Sequence, residues 1–115
     1  MKLILAIIRP ESLESVREKL YAKGIDSMTV IDVQGHGKQK GHKELYRGRE
    51  YQVEFLNKIQ LELAVADDMV DPVIEAIASG AKSGSMGAIG DGKIFVTNLE
   101  KVLRIRTGET NESAL

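Results

Sequence analysis

The chain has 115 residues, 16 Lys and Arg against 17 Asp and Glu, a formal net charge of −1 and no cysteine. That length suits one domain, residues 1–115, with a core of its own and no room for a second. Balanced charge argues against general nucleic-acid binding, which needs a basic excess, and the lack of cysteine excludes disulfides and thiolate metal sites.

The apolar run Leu3 to Ile8 has strand length and suggests a strand buried on both faces. Cut off by Arg9-Pro10, it is too short for a signal-peptide core or a membrane span, so a cytoplasmic protein is expected. From Ser12, the apolar positions Leu13, Val16 and Leu20 recur at helical spacing between charged residues, and Gly24 supplies a stop. Ile25 to Val33 is rich in β-branched residues and predicts a second strand. Ile59, Leu61, Leu63 and Val65 then alternate with Gln60, Glu62 and Ala64, which predicts a third. Asp67-Asp68 stand as capping carboxylates before Val70, Val73, Ile74 and Ile77, a second helical pattern that Gly80 breaks. A glycine-rich stretch, residues 82–93, leads into the apolar run Ile94-Phe95-Val96. Val102 to Arg106 alternates in the strand sense, and 107–115 is a polar tail.

The order is βαββαβ, that of the ferredoxin-like α+β fold, a four-stranded antiparallel sheet with two helices on one face. Two helices leave the other face open, yet the first strand is apolar on both sides. Ile4, Ala6 and Ile8 on that open face would form a patch of the kind that marks an interface, so a homo-oligomer closed over it is expected.

Residues 35–58 form a long polar stretch between the second and third strands, far beyond the two to five or so residues of a hairpin turn. Between Gly37 and Tyr51 it carries five Lys or Arg against two Glu, a set suited to anions. A solvated loop with no further role has the same composition; long ordered loops are more often functional. His36 and His42 lie here without a carboxylate cluster, and no zinc site is expected. In the second glycine-rich stretch, Gly87 to Lys93 reads like the opening of a P-loop. Ile94 stands where the magnesium-binding Ser or Thr belongs, however, and a strand follows instead of a helix, so that reading fails. What remains is a glycine nest with Lys93 beside it, and Arg104 and Arg106 as further phosphate partners, or else as a solvated strand face. Nothing here resembles a nucleophile elbow or an acid-base pair, so the chain is read as no enzyme. A small ATP-hydrolysing or phosphate-transferring enzyme using the same loops is the alternative.

Lys38-Gln39-Lys40-Gly41-His42, Glu44-Leu45-Tyr46-Arg47-Gly48, Glu50-Tyr51, Gly90-Asp91-Gly92-Lys93-Ile94-Phe95-Val96 and Arg104-Ile105-Arg106-Thr107-Gly108-Glu109 fall in order along the chain. Together they closely resemble the PII nitrogen-regulatory signal-transduction proteins. The resemblance implies a homotrimer with nucleotide in the clefts between subunits, and 35–58 as a regulatory loop that reports the bound ligand to partners. It implies ATP or ADP phosphates at Gly37, Lys38, Gln39, Gly90, Asp91, Gly92, Lys93, Arg104 and Arg106, with adenine and ribose near Ile7, Thr29, Glu62 and Ala64. It implies 2-oxoglutarate at Lys58 and at the backbone around Gln39, Lys40 and Gly41. Since a dicarboxylate beside a triphosphate needs a cation between them, a bridging Mg²⁺ with Gln39 as a ligand is expected. Tyr51 matches a nucleotidylated tyrosine, and Arg47 a loop-tip contact to an ammonium transporter. Glutamine synthetase is another implied partner, and membrane contact is at most peripheral, through a transporter. Arg49 stands where the family's modification motif usually has Ala or Ser, the second glycine-rich stretch is longer than usual, and Met86 falls where Ser or Thr is expected.

Overall fold

A computed structural model of the chain describes residues 1–38 and 53–115. Strand β1 spans Lys2–Ile8, helix α1 Leu13–Ala22, β2 Thr29–Lys38, β3 Val53–Val65, helix α2 Val70–Ala81 and β4 Gly92–Asn98. The strands pair antiparallel throughout, in the order β2-β3-β1-β4, the ferredoxin-like sheet that the element order predicts.

Period-two alternation sorts each strand into two faces. Ile4, Ala6 and Ile8 of β1 and Ile59, Leu61, Leu63 and Val65 of β3 are buried against Val16 and Leu20 of α1 and Val73, Ala76 and Ile77 of α2. Each large aliphatic side chain removed from water here contributes about 1.5–3 kcal/mol. The open face is therefore the reverse of the one expected. Ile4, Ala6 and Ile8 lie under the helices, while Leu3, Leu5 and Ile7 point to the uncovered side and are only half-buried. A strand apolar on both sides gives no sequence signal for which side the helices take. The reason for expecting an interface survives on the other residues: Ile31 and Phe95, at 36% and 48% exposure, share that open face.

α1 follows a turn of 3-10 helix at Pro10–Ser12, where proline's missing N–H costs nothing. It ends in a Schellman motif: the Ile25 and Gly24 N–H groups donate to the Leu20 and Tyr21 carbonyls, and Ile25 packs on the core. α2 is likewise preceded by a 3-10 turn, Asp67–Met69, but Asp67 does not cap it. Its carboxylate instead accepts from the Met1 amine at 2.8 Å and pairs with Lys2, and those two cations hold it below the usual carboxylate range. Gly80 does not break the helix, which runs on to Ala81; it is the point where α1 comes closest, a Cβ there lying 2.8 Å from Val16 Cα.

Two strand expectations need correcting. β2 starts at Thr29 rather than Ile25 but runs to Lys38, and β3 already begins at Val53, so both ends of the 35–58 stretch are a ribbon paired from Lys38↔Val53 onward. β1 pairs only with the β3 residues from Ile59 on. The outer ribbon thus has no core to imprint an apolar period, although His36 and Phe55 rings pack across it at 4.8 Å. Val102 to Arg106 is no fifth strand. Beyond one bridge, Leu103↔Thr110, it turns back on its own tail, with Asn111 N–H donating to Val102 O, and a 3-10 turn follows at Asn111–Ala114. Arg104 and Arg106 therefore do not share a strand face.

Candidate functional site

The loop between α2 and β4 is folded around one carboxylate. Asp91 Oδ2 accepts the backbone N–H of Ser83 and of Ala88, both at 2.9 Å, and Oδ1 accepts the Ser83 hydroxyl at 2.6 Å. Arg9, entering from the end of β1, lies 3.2 Å from Oδ1 and also donates to Ser83 Oγ and to the Ile89 carbonyl. The Ser83 hydroxyl, then the two N–H groups, and to a smaller degree the Arg9 charge hold Asp91 down to about 2, against partial desolvation. Asp91 is thus turned inward as the organiser of the loop. Behind it the chain enters β4 through Gly92, at φ +121°, whose Cα lies so close to β1 that a Cβ would sit 1.8 Å from Ile7 O.

This folding presents Gly90 and Lys93 to the open face. Lys93 is the register partner of Ile7. Lys58 reaches over from β3 and donates to the Gly90 carbonyl at 2.9 Å. Ile7, Lys58, Gly90, Gly92, Lys93 and Phe95 line a cleft of about 300 Å³. A neighbouring hollow of about 400 Å³ shares Lys58 and Gly90 and adds Arg9. Two lysines, an arginine and a glycine-rich backbone make this a place for anions.

The remaining predicted residues gather elsewhere. Thr29 and Glu62 are register partners, Gln60 donates to Glu62 at 2.9 Å, and Thr29, Glu62 and Ala64 line a separate hollow of about 550 Å³ with Val102, Glu112, Ala114 and Leu115 of the tail. Lys58 and Ala64, six residues apart on β3, are separated by roughly 20 Å at about 3.3 Å per residue. Arg104 belongs to the tail. Its guanidinium donates to Glu109 Oε1 at 3.0 Å and to the Leu115 carbonyl at 3.3 Å. Arg106 is exposed on the intervening turn. Gly37 and Lys38 fall at the end of β2, while Gln39, Lys40, Gly41, Arg47 and Tyr51 lie outside the described residues.

Arg9, Ser83 and Glu109 are not recognisable as site residues from residue type alone. The available signals are a cation placed between the apolar first strand and Pro10, and an acid five residues after Arg104.

Comparison with known proteins agrees with this picture over the full length. A profile of the family described as Nitrogen regulatory protein P-II matches residues 1–109. A Nitrogen regulatory protein P-II of Rhizobium etli is 55% identical over 115 residues, and one of Pasteurella multocida is 56% identical. The Nitrogen regulatory protein GlnK of Escherichia coli K12 is 54% identical, and in all three cases the whole of both chains is covered. With the sheet order, the ordered glycine loop and this likeness in agreement, the chain belongs to the nitrogen regulatory protein P-II family.

Proposed function

We propose that this nitrogen-regulatory protein is a cytoplasmic, homotrimeric signal transducer that binds ATP or ADP in competition. It takes up 2-oxoglutarate only beside Mg-ATP, and it controls partners through the 35–58 loop. The observation that carries the reading is the division of the expected nucleotide contacts. Ile7, Gly90, Gly92 and Lys93 line one cleft, while Thr29, Glu62, Ala64 and the tail that follows Arg104 line a second hollow that shares no residue with it. Neither hollow alone holds both groups of contacts, and a second copy against the apolar open face would set one half-site of each chain against the other. Rotation about a threefold axis closes such head-to-tail contacts into a ring.

The described groups fit the ligands. Phosphates would meet the glycine backbone, Lys93 and the arginines, and Lys58 would exchange the Gly90 carbonyl for a carboxylate of 2-oxoglutarate. With Asp91 committed internally, an amide oxygen from Gln39 would be the chain's ligand for Mg²⁺, adding no further negative charge beside the phosphates. Tyr51 would be the modified residue and Arg47 a contact to an ammonium transporter; glutamine synthetase is another partner of fitting kind.

Calorimetry and light scattering test the reading. The expected result is a particle three times 12.6 kDa that binds ATP and ADP in competition without steady-state phosphate release. It should bind 2-oxoglutarate with ATP and Mg²⁺ but not with ADP or in EDTA. A monomer that binds neither nucleotide would overturn it, and rapid magnesium-dependent turnover abolished by Lys93→Ala would replace the sensor with an enzyme.

A further inference from the structure

Arg104 is already holding an anion. Its backbone N–H donates to the Glu109 carbonyl at 2.9 Å, closing the turn. At the same time its guanidinium spans two oxygens of its own chain, Glu109 Oε1 at 3.0 Å and Leu115 O at 3.3 Å. Two N–H groups of one guanidinium directed at two oxygens is the arrangement this side chain offers a phosphate or carboxylate. Here both places are filled from within. The second acceptor is the last residue of a segment whose Ala114 and Leu115 line the same hollow as Thr29, Glu62 and Ala64. Occupation of Arg104 and closure of the tail over that hollow are thus one geometric event.

From this we infer that Glu109 is an internal competitor for the nucleotide's phosphates. It keeps Arg104 engaged and the tail folded over the half-site until a polyphosphate takes the guanidinium and releases residues 109–115. The inference rests on the proposed nucleotide site. It adds to that site a specificity device, because a ligand must bring enough negative charge to displace a carboxylate, and it gives the protein a second segment that changes with occupancy. Both partners are part-exposed, at 38% and 42%, so the competition is soft and reversible.

The test compares the full-length protein with Glu109→Gln and Glu109→Asp. An exposed ion pair is worth a factor of about two to five, so Glu109→Gln should bind ATP and ADP about two to five times more tightly, with Glu109→Asp staying near the parent. The gain should shrink as salt is raised, because screening weakens the competing pair. A residue that merely supported the turn would move affinity the other way on removal. In the unaltered protein, ATP should speed amide hydrogen exchange at Asn111, whose N–H is held by Val102 O. If Glu109→Gln binds ATP no more tightly than the parent, or if ATP leaves exchange over 109–115 unchanged, the competition is refuted while the nucleotide site stands. If neither parent nor variants bind ATP, the proposed function falls and this inference with it.

Discussion

The two segments read from sequence as phosphate partners, the glycine loop before β4 and the turn after Leu103, each contain a carboxylate beside an arginine, and the carboxylates do opposite work. Asp91 accepts two N–H groups and a hydroxyl from its own loop, with Arg9 alongside, and its effect is to shape the backbone that lines the cleft with Lys58 and Lys93. Glu109 accepts from Arg104 itself and occupies the group that a ligand would need. What separates them is what else the acid can reach. Asp91, with a side chain 18% exposed, is surrounded by loop donors, so Arg9 is only one of several partners. At 42% exposure, Glu109 has the guanidinium as its side-chain partner. Conformational order is thus built into the first segment and left to be exchanged in the second.

The largest effect should come from the first segment. Gly92→Ala puts a methyl group 1.8 Å from Ile7 O, a backbone atom in the central strand, at a φ of +121° that an L side chain resists. Neither strand can yield without losing the β1–β4 ladder, so the cost should reach about 4 kcal/mol or more, the range of exceptional single substitutions. Urea unfolding that showed less than about 1 kcal/mol would mean the loop is far softer than its geometry implies.

Asp91→Asn should be smaller and more local. Whichever way the amide is turned, an NH₂ replaces one acceptor and faces either the Ser83 and Ala88 N–H groups or Arg9, so donors meet donors. Amide exchange at Ser83 and Ala88 should speed up by about tenfold, roughly the loss of one charge-assisted hydrogen bond. Acid gives the same contrast a second reading. The Asp91 carboxyl titrates at about 2 when folded, below its ordinary value near 3.8, so its stabilisation is complete above that ordinary value and fades as pH falls towards 2. Protection of the Ser83 and Ala88 amides, taken relative to the intrinsic exchange rate at each pH, should therefore fall between about pH 4 and 2 in the parent and show no such fall in Asp91→Asn. Parallel pH profiles for the two proteins would show that another group governs the loop.

How far the sequence carried these distinctions depended on which forces leave a periodic trace. β1, α1, the inner half of β3 and α2 were legible because burial imprints period two or 3.6 on them, as at Val16 and Leu20 or Ile59 to Val65. The outer β2–β3 ribbon was not, since neither of its faces meets the core and polar residues such as His36 fit it as well as apolar ones. Val102 to Arg106 misled for the converse reason: it is a turn held by Arg104, Gly108 and Glu109, with Ile105 94% exposed and its one bridge, Leu103↔Thr110, made to its own tail. The glycines and Lys93 of the site could be recognised by residue type. The side chains that aim them could not, because Arg9 and Ser83 reach Asp91 across sequence separations that no local pattern records.

Gly108→Ala should give the smallest effect, and it measures the softness of the second segment directly. Gly108 has φ +74°, so it shares with Gly92 a backbone conformation that L residues avoid, but no atom lies within 4 Å of where its Cβ would stand. Only the left-handed penalty remains, about 1 kcal/mol, partly offset because alanine narrows the unfolded ensemble. That penalty falls on a turn closed by the Gly108 N–H to Arg104 O and Arg104 N–H to Glu109 O bonds. It should appear as faster exchange of the Asn111 amide with the unfolding midpoint nearly unchanged. The difference between the Gly92→Ala and Gly108→Ala costs then separates close packing from backbone strain, since both substitutions add the same methyl group at positive φ. If Gly108→Ala unfolds the protein as readily as Gly92→Ala, the tail is part of the cooperative core, and a turn that a ligand opens and closes is the wrong description of it.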